Sequence, residues 1–445
     1  MNLRILPPPG APRRLAAAQL SNSVGDGAYY VCSALYFTRV VGLSPAQIGL
    51  GLTVAWAVGS VAGVPLGALA DRRGPRGTSV LLALATAAAV ASFLVIRSFW
   101  PFLLAACLYA TAQCGLAAAR QALLAGLVEP RERTGVLAHL QSMLNAGLAL
   151  GASIGGLALS ADSAGAYRAV FAMDAVSFLV CAAVLLRLPA VAPVERRAAG
   201  EPRLAVLRDR PYALVTALNA VLLLRMPLLS LAIPLWIVER THAPGWLVSA
   251  LFVLNTVGVM LFQVRTARPV TDLRTARAAV WSSGLVMAAS CVVFALSALP
   301  AAAWAAGAAL VVGAVLQLFA EMRQSAGSWQ ISFSLAPPEK IGQYQGFFGT
   351  GVPVARTLGP LLLTSLLLLW GIPGWLLLGG VLLVASWAMG PAVRRAERAA
   401  AQRPEPEPEP AAAAAAGEPA AAPDAAGTPE GTPAGTAVPT VRAGR

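Results

Sequence analysis

Residues 67–77, which read GALADRRGPRG, form a short basic stretch between two long apolar runs at 46–70 and 78–97. An α-helix needs about 20 mostly apolar residues to cross a bilayer, and both runs are of that length. Short arginine-rich gaps between such runs are typical of the cytoplasmic loops of membrane proteins. The stretch therefore predicts two membrane-spanning helices that are joined on the cytoplasmic side.

The composition of the whole chain also indicates a membrane protein. Hydrophobic residues make up 57% of the 445 residues and charged residues only 12%, whereas soluble domains carry about 25% charged residues. A soluble fold of this size could not hide so much apolar surface from water. The formal net charge is +13, but the arginines lie in short gaps rather than in patches with aromatic residues, which argues against nucleic acid as a partner.

Twelve apolar runs of spanning length can be marked along the chain, in two groups of six. They are 15–41, 46–70, 78–97, 100–126, 135–160, 166–188, 211–238, 245–264, 278–299, 301–326, 343–369 and 374–393. We therefore expect an all-α protein with twelve transmembrane helices in a lipid bilayer. Tryptophans near the ends of these runs predict an aromatic belt at the membrane surfaces. They are Trp236, Trp246, Trp281, Trp370 and Trp375.

The distribution of arginine predicts the orientation. Basic residues concentrate in the N-terminal stub and in the gaps after the even-numbered spans, and the other gaps hold few. Because basic loops stay on the cytoplasmic side, both termini are expected to be cytoplasmic. We expect the chain to lie in the cytoplasmic membrane of a bacterium. The predicted parts are a cytoplasmic stub (1–14), a six-helix half (15–188), a cytoplasmic linker (189–210), a second six-helix half (211–393) and a disordered cytoplasmic tail (394–445).

The two groups of six spans show signs of an internal repeat. Asp71 stands five residues before Arg76 after span 2, and Asp272 stands five residues before Arg277 after span 8. Repeats of six helices in the same orientation are found in transporters that are built of two halves around a central cavity.

The stretch at 67–77 resembles the signature loop of the major facilitator superfamily, in which a glycine is followed by Asp-Arg, another glycine and a basic residue. The segments 44–49 and 127–133 are similar to family members as well. The resemblance implies two pseudo-symmetric six-helix halves (an MFS-like fold), a central cavity and secondary transport by alternating access. It also implies that the loop latches the cytoplasmic side. The loop residues are Gly67, Asp71, Arg72, Arg73, Gly74 and Arg76.

Physical reasoning gives two of these loop residues a specific task. Gly67 lets two helices approach closely, and Asp71 can accept hydrogen bonds from a neighbouring helix N-terminus or from an arginine. The alternative is a plain basic loop that only marks the cytoplasmic side.

Span 5 carries glycines that resemble a motif of exporters in this family, although Ala152 stands where that motif has proline. On this basis the chain resembles bacterial multidrug or efflux-type members. The alternative is close helix packing through small residues, which any bundle uses. The residues concerned are Gly147, Gly151, Gly155 and Gly156 in span 5 and Gly359 and Pro360 in span 11.

Charged residues inside spans are costly in lipid and usually face a cavity or a partner. Spans 1, 4, 7 and 10 line the cavity in the family, so the resemblance implies that acids and arginines on these spans lie near the path. Together with the mid-span arginine of span 11, the candidates are Asp26, Arg120, Arg225, Glu321 and Arg356. In addition, Asp174 is predicted to be a structural or helix-end group, and Glu321 to form an interfacial pair with Arg323.

Asp26, near the middle of span 1, is the candidate for proton coupling. Burial and a nearby arginine act in opposite directions on the protonation of a carboxyl group, so an arginine that moves could couple proton release to substrate movement. The alternative is a static pair of Asp26 with an arginine that only fixes helix packing.

No catalytic residue, metal site or nucleotide-binding motif is found. The five cysteines lie in apolar segments without a C-x-x-C, and no G-x-S-x-G, H-E-x-x-H or P-loop occurs. We therefore expect a transporter without cofactors that uses the proton gradient, rather than an enzyme. A monomer suffices, because one such bundle encloses a complete path.

The predicted function is export of a small amphipathic compound, drug-like or a metabolite, in exchange for protons. An importer or uniporter for a metabolite is the first alternative, although sugar importers would carry more polar and aromatic residues at the cavity. A transport-inactive sensor or scaffold is the second, and it would be expected to carry a folded soluble domain.

Overall fold

The computed structural model describes residues 7–193, 204–299 and 302–402, which form twelve long helical segments and no β-strand. The segments are α1 (Ala11–Leu35, continued by a π-helical turn at Tyr36–Val40), α2 (Pro45–Arg73), α3 (Pro75–Phe93), α4 (Phe99–Leu127), α5 (Arg133–Ala161), α6 (Ala164–Leu186), α7 (Arg210–Arg240), α8 (Leu247–Ala267), α9 (Leu273–Leu296), α10 (Ala303–Ser334), α11 (Pro338–Leu369) and α12 (Ile372–Ala401). The prediction of an all-helical chain with twelve long helices is confirmed for these residues.

Eleven of the twelve segments are long and apolar enough to cross a membrane, and α1 is the exception. Its first two thirds carry Gln19, Asn22 and Asp26 among smaller residues, which lowers its hydropathy. Asn22 and Asp26 are both buried in the bundle. The polarity of α1 therefore reflects an inward-facing stripe rather than a helix that lies in water.

The ends of several helices follow from local side-chain chemistry. Ser44 and Gln47 form a reciprocal capping box at the start of α2. Gly74 has φ 94°, a conformation that favours glycine, and it ends α2 directly before Pro75 begins α3. Asp272 caps its own helix, α9, and the backbone hydrogen bond from Thr275 lowers the pKa of this carboxyl below its ordinary value.

The helices α7 and α11 are both interrupted near their middles. In α7 the regular helix Arg210–Leu223 gives way to a turn that contains Pro227 and to a π-helical segment, because proline removes a helical hydrogen bond and clashes with the preceding turn. In α11, Gly359 lies directly against this proline, and a Cβ at Gly359 would be 2.6 Å from the Pro227 Cγ. The two irregular helices therefore pack closely on each other.

The glycines of α5 form a contact surface for α1. A Cβ added at Gly147, Gly151 or Gly155 would come within 3.0 Å of atoms in α1, and at Gly151 the nearest atom is the backbone oxygen of Val24. Because backbone atoms cannot turn aside, the approach of α1 to α5 depends on this glycine face. Gly156 points elsewhere, with nothing within 4 Å of its added Cβ.

Contacts between the first six and the last six helices are made mainly by three pairs, α2 with α11, α4 with α11 and α5 with α8. Within the first six, α1 packs on α5 and α6, and α2 packs on α4. The division into two pseudo-symmetric halves stays a prediction, as does the placement of both termini in the cytoplasm.

The predicted boundaries differ from the structure at the end of the last span. Helix α12 does not end at residue 393 but continues to Ala401, with Ala396 buried and Glu397 3.6 Å from Arg277 in an ion pair. Alanine and arginine are strong helix formers, so the segment 394–401 remains helical although it is no longer apolar throughout. The predicted tail beyond residue 402 and the linker residues 194–203 lie outside the described residues, as do residues 1–6 of the predicted stub.

At the opposite end of the bundle from the 67–77 loop, a small polar contact joins α1 to the connection between α5 and α6. Asp162 accepts a hydrogen bond from the Tyr167 hydroxyl at 2.6 Å and pairs with Arg39. These two partners lower the pKa of the Asp162 carboxyl below its usual value. The contact is exposed to solvent, so it stabilises the bundle only weakly.

Candidate functional site

A cavity of about 430 Å³ lies in the interior of the bundle, between the first six and the last six helices. Its size is within the range of about 300–1,000 Å³ that is usual for sites that bind small molecules. Its wall combines leucine and aromatic side chains with a few polar groups. The polar groups include Asp26, Gln113 and Arg120 from the first six helices and Asn219, Gln324 and Arg356 from the last six.

Asp26 is the only carboxyl group on the cavity wall in the described part of the chain, and it is 8% exposed. Its oxygens accept hydrogen bonds from the Asn22 amide at 3.2 Å, the Tyr109 hydroxyl at 3.3 Å and the Gln113 amide at 3.2 Å. No described cation lies within 4.0 Å of it. The static Asp26–arginine pair, which was the alternative to a proton site, is therefore not formed in this structure.

Asn22 connects Asp26 to the nearest arginine of α4. The Arg120 guanidinium donates to the Asn22 side-chain oxygen at 3.2 Å and also to Gln19, while the Asn22 amide nitrogen donates to Asp26. Asn22 therefore separates the two charges and still transmits part of the field of Arg120 to the carboxyl group. Arg120 reaches the cavity wall with its charge directed to neutral oxygen atoms.

Arg356 of α11 lies on the same cavity wall with an aromatic surface beneath it. Its guanidinium carbon is 5.3 Å from the centre of the Trp56 ring and 6.0 Å from the centre of the Tyr30 ring, which is the geometry of cation–π contacts. The side chain is exposed to the cavity, and no described carboxylate lies within 4.0 Å of it. Tyr30 exposes 44% of its surface beside it.

Arg225 and Glu321, which were candidates for a cavity or charge-pair role, form a charge pair but are not part of the cavity wall. The two residues pair with each other at 3.3 Å, Arg225 also donates to Gln324 at 2.6 Å, and neither lines the central cavity. The interfacial pair of Glu321 with Arg323 is also not formed, because Arg323 donates to Ser282. A charged side chain that forms an ion pair inside the bundle is stabilised without contact with the cavity.

Asp174 lies behind Asp26, at the interface of α6 and α1. It is in the middle of its helix and 0% exposed, so a structural role fits it and a helix-end role does not. Its Oδ2 atom has no hydrogen-bond partner among the described residues. A Cβ at Gly25 would overlap the carboxyl group, which shows how closely α1 approaches α6 here.

The 67–77 loop contacts the start of α11. Asp71 accepts hydrogen bonds from the backbone nitrogens of Gly342 at 2.7 Å and Gln343 at 2.9 Å. A carboxylate at a helix N-terminus satisfies free N–H groups and interacts well with the helix dipole. Gly67 makes this contact possible, because a Cβ there would lie within 3.0 Å of the Gly342 backbone.

The remaining loop residues lie outside this contact. Arg76 donates to the backbone oxygen of Leu188, the second residue after α6. Gly74 allows the tight turn between α2 and α3, and Arg72 and Arg73 are exposed. Asp71 and Asp272, which each stand five residues before an arginine, thus differ in structure, because Asp272 caps its own helix and Asp71 holds a different one.

Asp71→Asn is expected to open the bundle at this end. An amide lacks the charge and the second acceptor that the two N–H groups use, which costs about 1–2 kcal/mol. We expect roughly fivefold or more faster labelling of Cys114, a thiol on the cavity wall, by an impermeant maleimide added on the loop side of sealed vesicles. Asp272→Asn is the matched control and should leave the labelling rate unchanged. Equal rates in both variants and the wild type would contradict the latch.

Several residues of the site carry a sequence signal that was not used. Gln19, Asn22 and Asp26 are spaced by three and four residues, as are polar positions on one face of a helix. Tyr109 and Gln113 are likewise four residues apart in an apolar span. A search for polar stripes inside apolar spans would have found Asn22, whereas Trp56 has no such signal.

Within the described ranges, no group of three or more histidine, cysteine, aspartate or glutamate side chains is placed to hold a metal ion. The polar atoms of the cavity belong to amides, hydroxyls, two arginines and one carboxyl group. Such a wall can bind a polar organic molecule and can take up or release a proton at Asp26.

Three solved structures have the same fold as this chain. The human organic anion transporter MFSD10 (TETRAN) is 18% identical and has a TM-score of 0.63, with 86% of this chain and 100% of that chain covered. The E. coli fucose:proton symporter FucP is 14% identical, with a TM-score of 0.60 and 86% and 97% covered. The proton:xylose symporter XylE is 13% identical, with a TM-score of 0.65 and 85% and 94% covered.

These identities establish the fold alone, and no curated protein sequence matches the chain significantly. The sequence model described as Major Facilitator Superfamily matches residues 15–348. This match covers most of the helical bundle, including the latch at Asp71 and the cavity around Asp26. The chain therefore belongs to the major facilitator superfamily of membrane transporters.

Proposed function

We propose that this transporter exports a small amphipathic compound in exchange for protons, as a monomer in the cytoplasmic membrane of a bacterium with both termini in the cytoplasm. Membrane transport rather than enzyme chemistry is what the family establishes. The substrate class, the direction and the coupling ion are the proposed part.

The observation that carries the proposal is the position of Asp26. It is the one described carboxyl group on the cavity wall, it is mostly buried, and only neutral groups hold it. A carboxyl group that is not locked in an ion pair can gain and lose a proton as the cavity opens to either side. Exchange results when proton and substrate use the same group in turn, and the position of Asp26 on the cavity wall supports this role.

The cavity also fits an amphipathic cargo. Leucine and aromatic side chains make up much of its wall, and the polar groups are few and separate. In alternating access the cavity opens to one side at a time. The contact of Asp71 with α11 would hold the cytoplasmic side closed, and its release would let the cavity open to the cytoplasm and take up substrate there.

Drug tolerance of an efflux-deficient bacterial host tests the proposal. The host would express the wild type or Asp26→Asn, with equal amounts in the membrane, and would be exposed to a broad panel of toxic amphiphiles. We expect tolerance of at least one compound to rise with the wild type and to return to the empty-host level with the variant. No change for any compound would contradict export of a drug-like substrate.

A second candidate is uptake of an organic anion together with a proton. It is favoured by the two arginines on the cavity wall, Arg120 and Arg356, of which neither lies within 4.0 Å of a described carboxylate. An anion on Arg356 would repel an ionised Asp26, so anion and proton would bind together rather than in turn. Everted vesicles with an acidic interior distinguish the two, because exchange fills them with substrate and cotransport does not.

A further inference from the structure

The cavity presents one acidic and one basic group that are not paired with each other. Asp26 on α1 and Arg356 on α11 both line the wall, and their charged atoms are more than 4.0 Å apart. They come from the first and the last six helices, and the cavity lies between them. Opposite charges on the wall of one cavity that do not contact each other can each bind a different group of the same ligand.

Each of the two groups lacks a charged partner and can bind a ligand group of the opposite sign. The Asp26 carboxylate accepts hydrogen bonds from uncharged donors only, so a cationic donor would be its strongest partner. The Arg356 guanidinium has aromatic rings on one side, at Trp56 and Tyr30, and is exposed to the cavity. Its planar fork is suited to a carboxylate.

The remaining charges near the cavity do not compete for these roles. Arg120 is directed at Asn22 and Gln19, and Arg225 is paired with Glu321 outside the cavity. The exposed face of Tyr30 and the ring of Trp56 offer an apolar surface beside Arg356. The site therefore combines an anion, a cation and an aromatic surface in one space of about 430 Å³.

We propose that the cargo is an amphipathic zwitterion, whose ammonium group binds Asp26, whose carboxylate binds Arg356 and whose apolar body packs on Tyr30 and Trp56. The inference rests on the proposed function for the statement that the bound compound is transported. It also explains exchange, because an ammonium group and a proton compete for the same carboxylate. Binding itself requires no covalent step.

Four derivatives of one amino acid test the charge requirement at constant shape. L-tryptophan is zwitterionic, its methyl ester is cationic, N-acetyl-tryptophan is anionic and the N-acetyl methyl ester is neutral. Ligand that binds only the folded protein raises the unfolding temperature with concentration. We expect purified wild-type protein to bind tryptophan about tenfold more tightly than any of the other three, a difference of about 1.4 kcal/mol.

Two variants assign each charge to its partner. Arg356→Gln is expected to remove the preference for tryptophan over the methyl ester, and Asp26→Asn the preference over N-acetyl-tryptophan. Arg225→Gln removes a cation outside the cavity and is the control that should keep both preferences; Asp162→Asn is a second control should Arg225→Gln fail to fold. The unfolding temperature without ligand shows whether each variant is folded.

The outcomes separate the possibilities. Equal binding of the ester and tryptophan, equal binding of the acetyl compound and tryptophan, or no stabilisation by tryptophan in the millimolar range would each overturn the zwitterion site. The binding measurement needs no gradient and no transport. It can therefore show the zwitterion site when the drug panel shows no export, and the drug panel can show export when the binding measurement shows no such site.

Discussion

Asp26→Asn is expected to abolish proton-driven transport, while passive exchange of the ligand continues at concentrations that saturate the weakened binding site. Asparagine is close to aspartate in size and can still accept the hydrogen bond from Tyr109, but it does not take up a proton. Coupling between two ligands of one transporter is typically 5- to 150-fold in affinity, or about 1–3 kcal/mol. Without the shared carboxyl group, this coupling has no physical basis.

Proteoliposomes provide the measurement, with the compound that gives the largest tolerance in the drug panel as the probe. A pH gradient should drive at least about tenfold less accumulation in the variant than in the wild type, whereas exchange of labelled for unlabelled probe without a gradient should continue. Asp162→Asn is the matched control, since it removes a carboxylate of the same half that lies on the surface. Persistent gradient-driven accumulation in Asp26→Asn would show that another group carries the proton. Loss of both activities at saturating probe concentrations would indicate a structural role.

Gly151→Ala is expected to destabilise the bundle severely, although it adds only one methyl group. The Cβ would come within 3.0 Å of the Val24 backbone oxygen and of the Gly27 Cα in α1. Since neither atom belongs to a flexible side chain, the helices must move apart, and overpacking of this kind costs about 1–3 kcal/mol. Gly156→Ala is the matched control, because its Cβ meets nothing within 4 Å and alanine favours the helix by up to about 1 kcal/mol.

Thermal unfolding in detergent, followed by tryptophan fluorescence, compares the two variants with the wild type. A large drop in the unfolding temperature for Gly151→Ala alone supports the packing explanation of the glycine run. Normal stability of Gly151→Ala together with loss of transport would instead support the exporter motif. This pair of variants therefore decides between the two interpretations that the sequence left open.

The positions of the helices could be predicted from the sequence because length and hydropathy are local properties. The predicted spans 46–70 and 100–126 lie within three residues of α2 and α4 at each end. The larger errors lie at helix ends where apolar and polar residues mix. Helix α10 continues to Ser334 rather than 326, since its polar extension is buried against other helices and does not need to be apolar.

The orientation of side chains around each helix could not be predicted equally well. Trp236 and Trp375, expected in an aromatic belt, are fully buried and contact each other with ring centres 5.6 Å apart. Trp246 and Trp370 are exposed, as a belt requires. The depth of a side chain in the membrane follows from its position along the span. Whether the side chain faces lipid or the protein interior depends on which helices pack beside it.

The partners in the candidate site follow the same rule. Asp26 could be singled out by its cost in lipid, but its partner Tyr109 is 83 residues away in the chain. Arg225 and Glu321 were assigned to the path because spans 7 and 10 line it in the family, whereas the structure pairs them with each other. Single candidate residues can be identified from the sequence by their position in an apolar span. The residues that they pair with can be identified only from the folded structure.

The continuation of α12 beyond the apparent end of the last span matters for anyone who attaches a fluorescent reporter or an affinity tag to this protein. A fusion point at residue 393 would interrupt a packed helix, since Val393 and Ala396 are buried and Glu397 contacts Arg277. A reporter or tag fused there would disturb the packing of α12 on α9. A fusion point after Gln402 keeps the whole helix, and it is the position at which a C-terminal reporter should be placed.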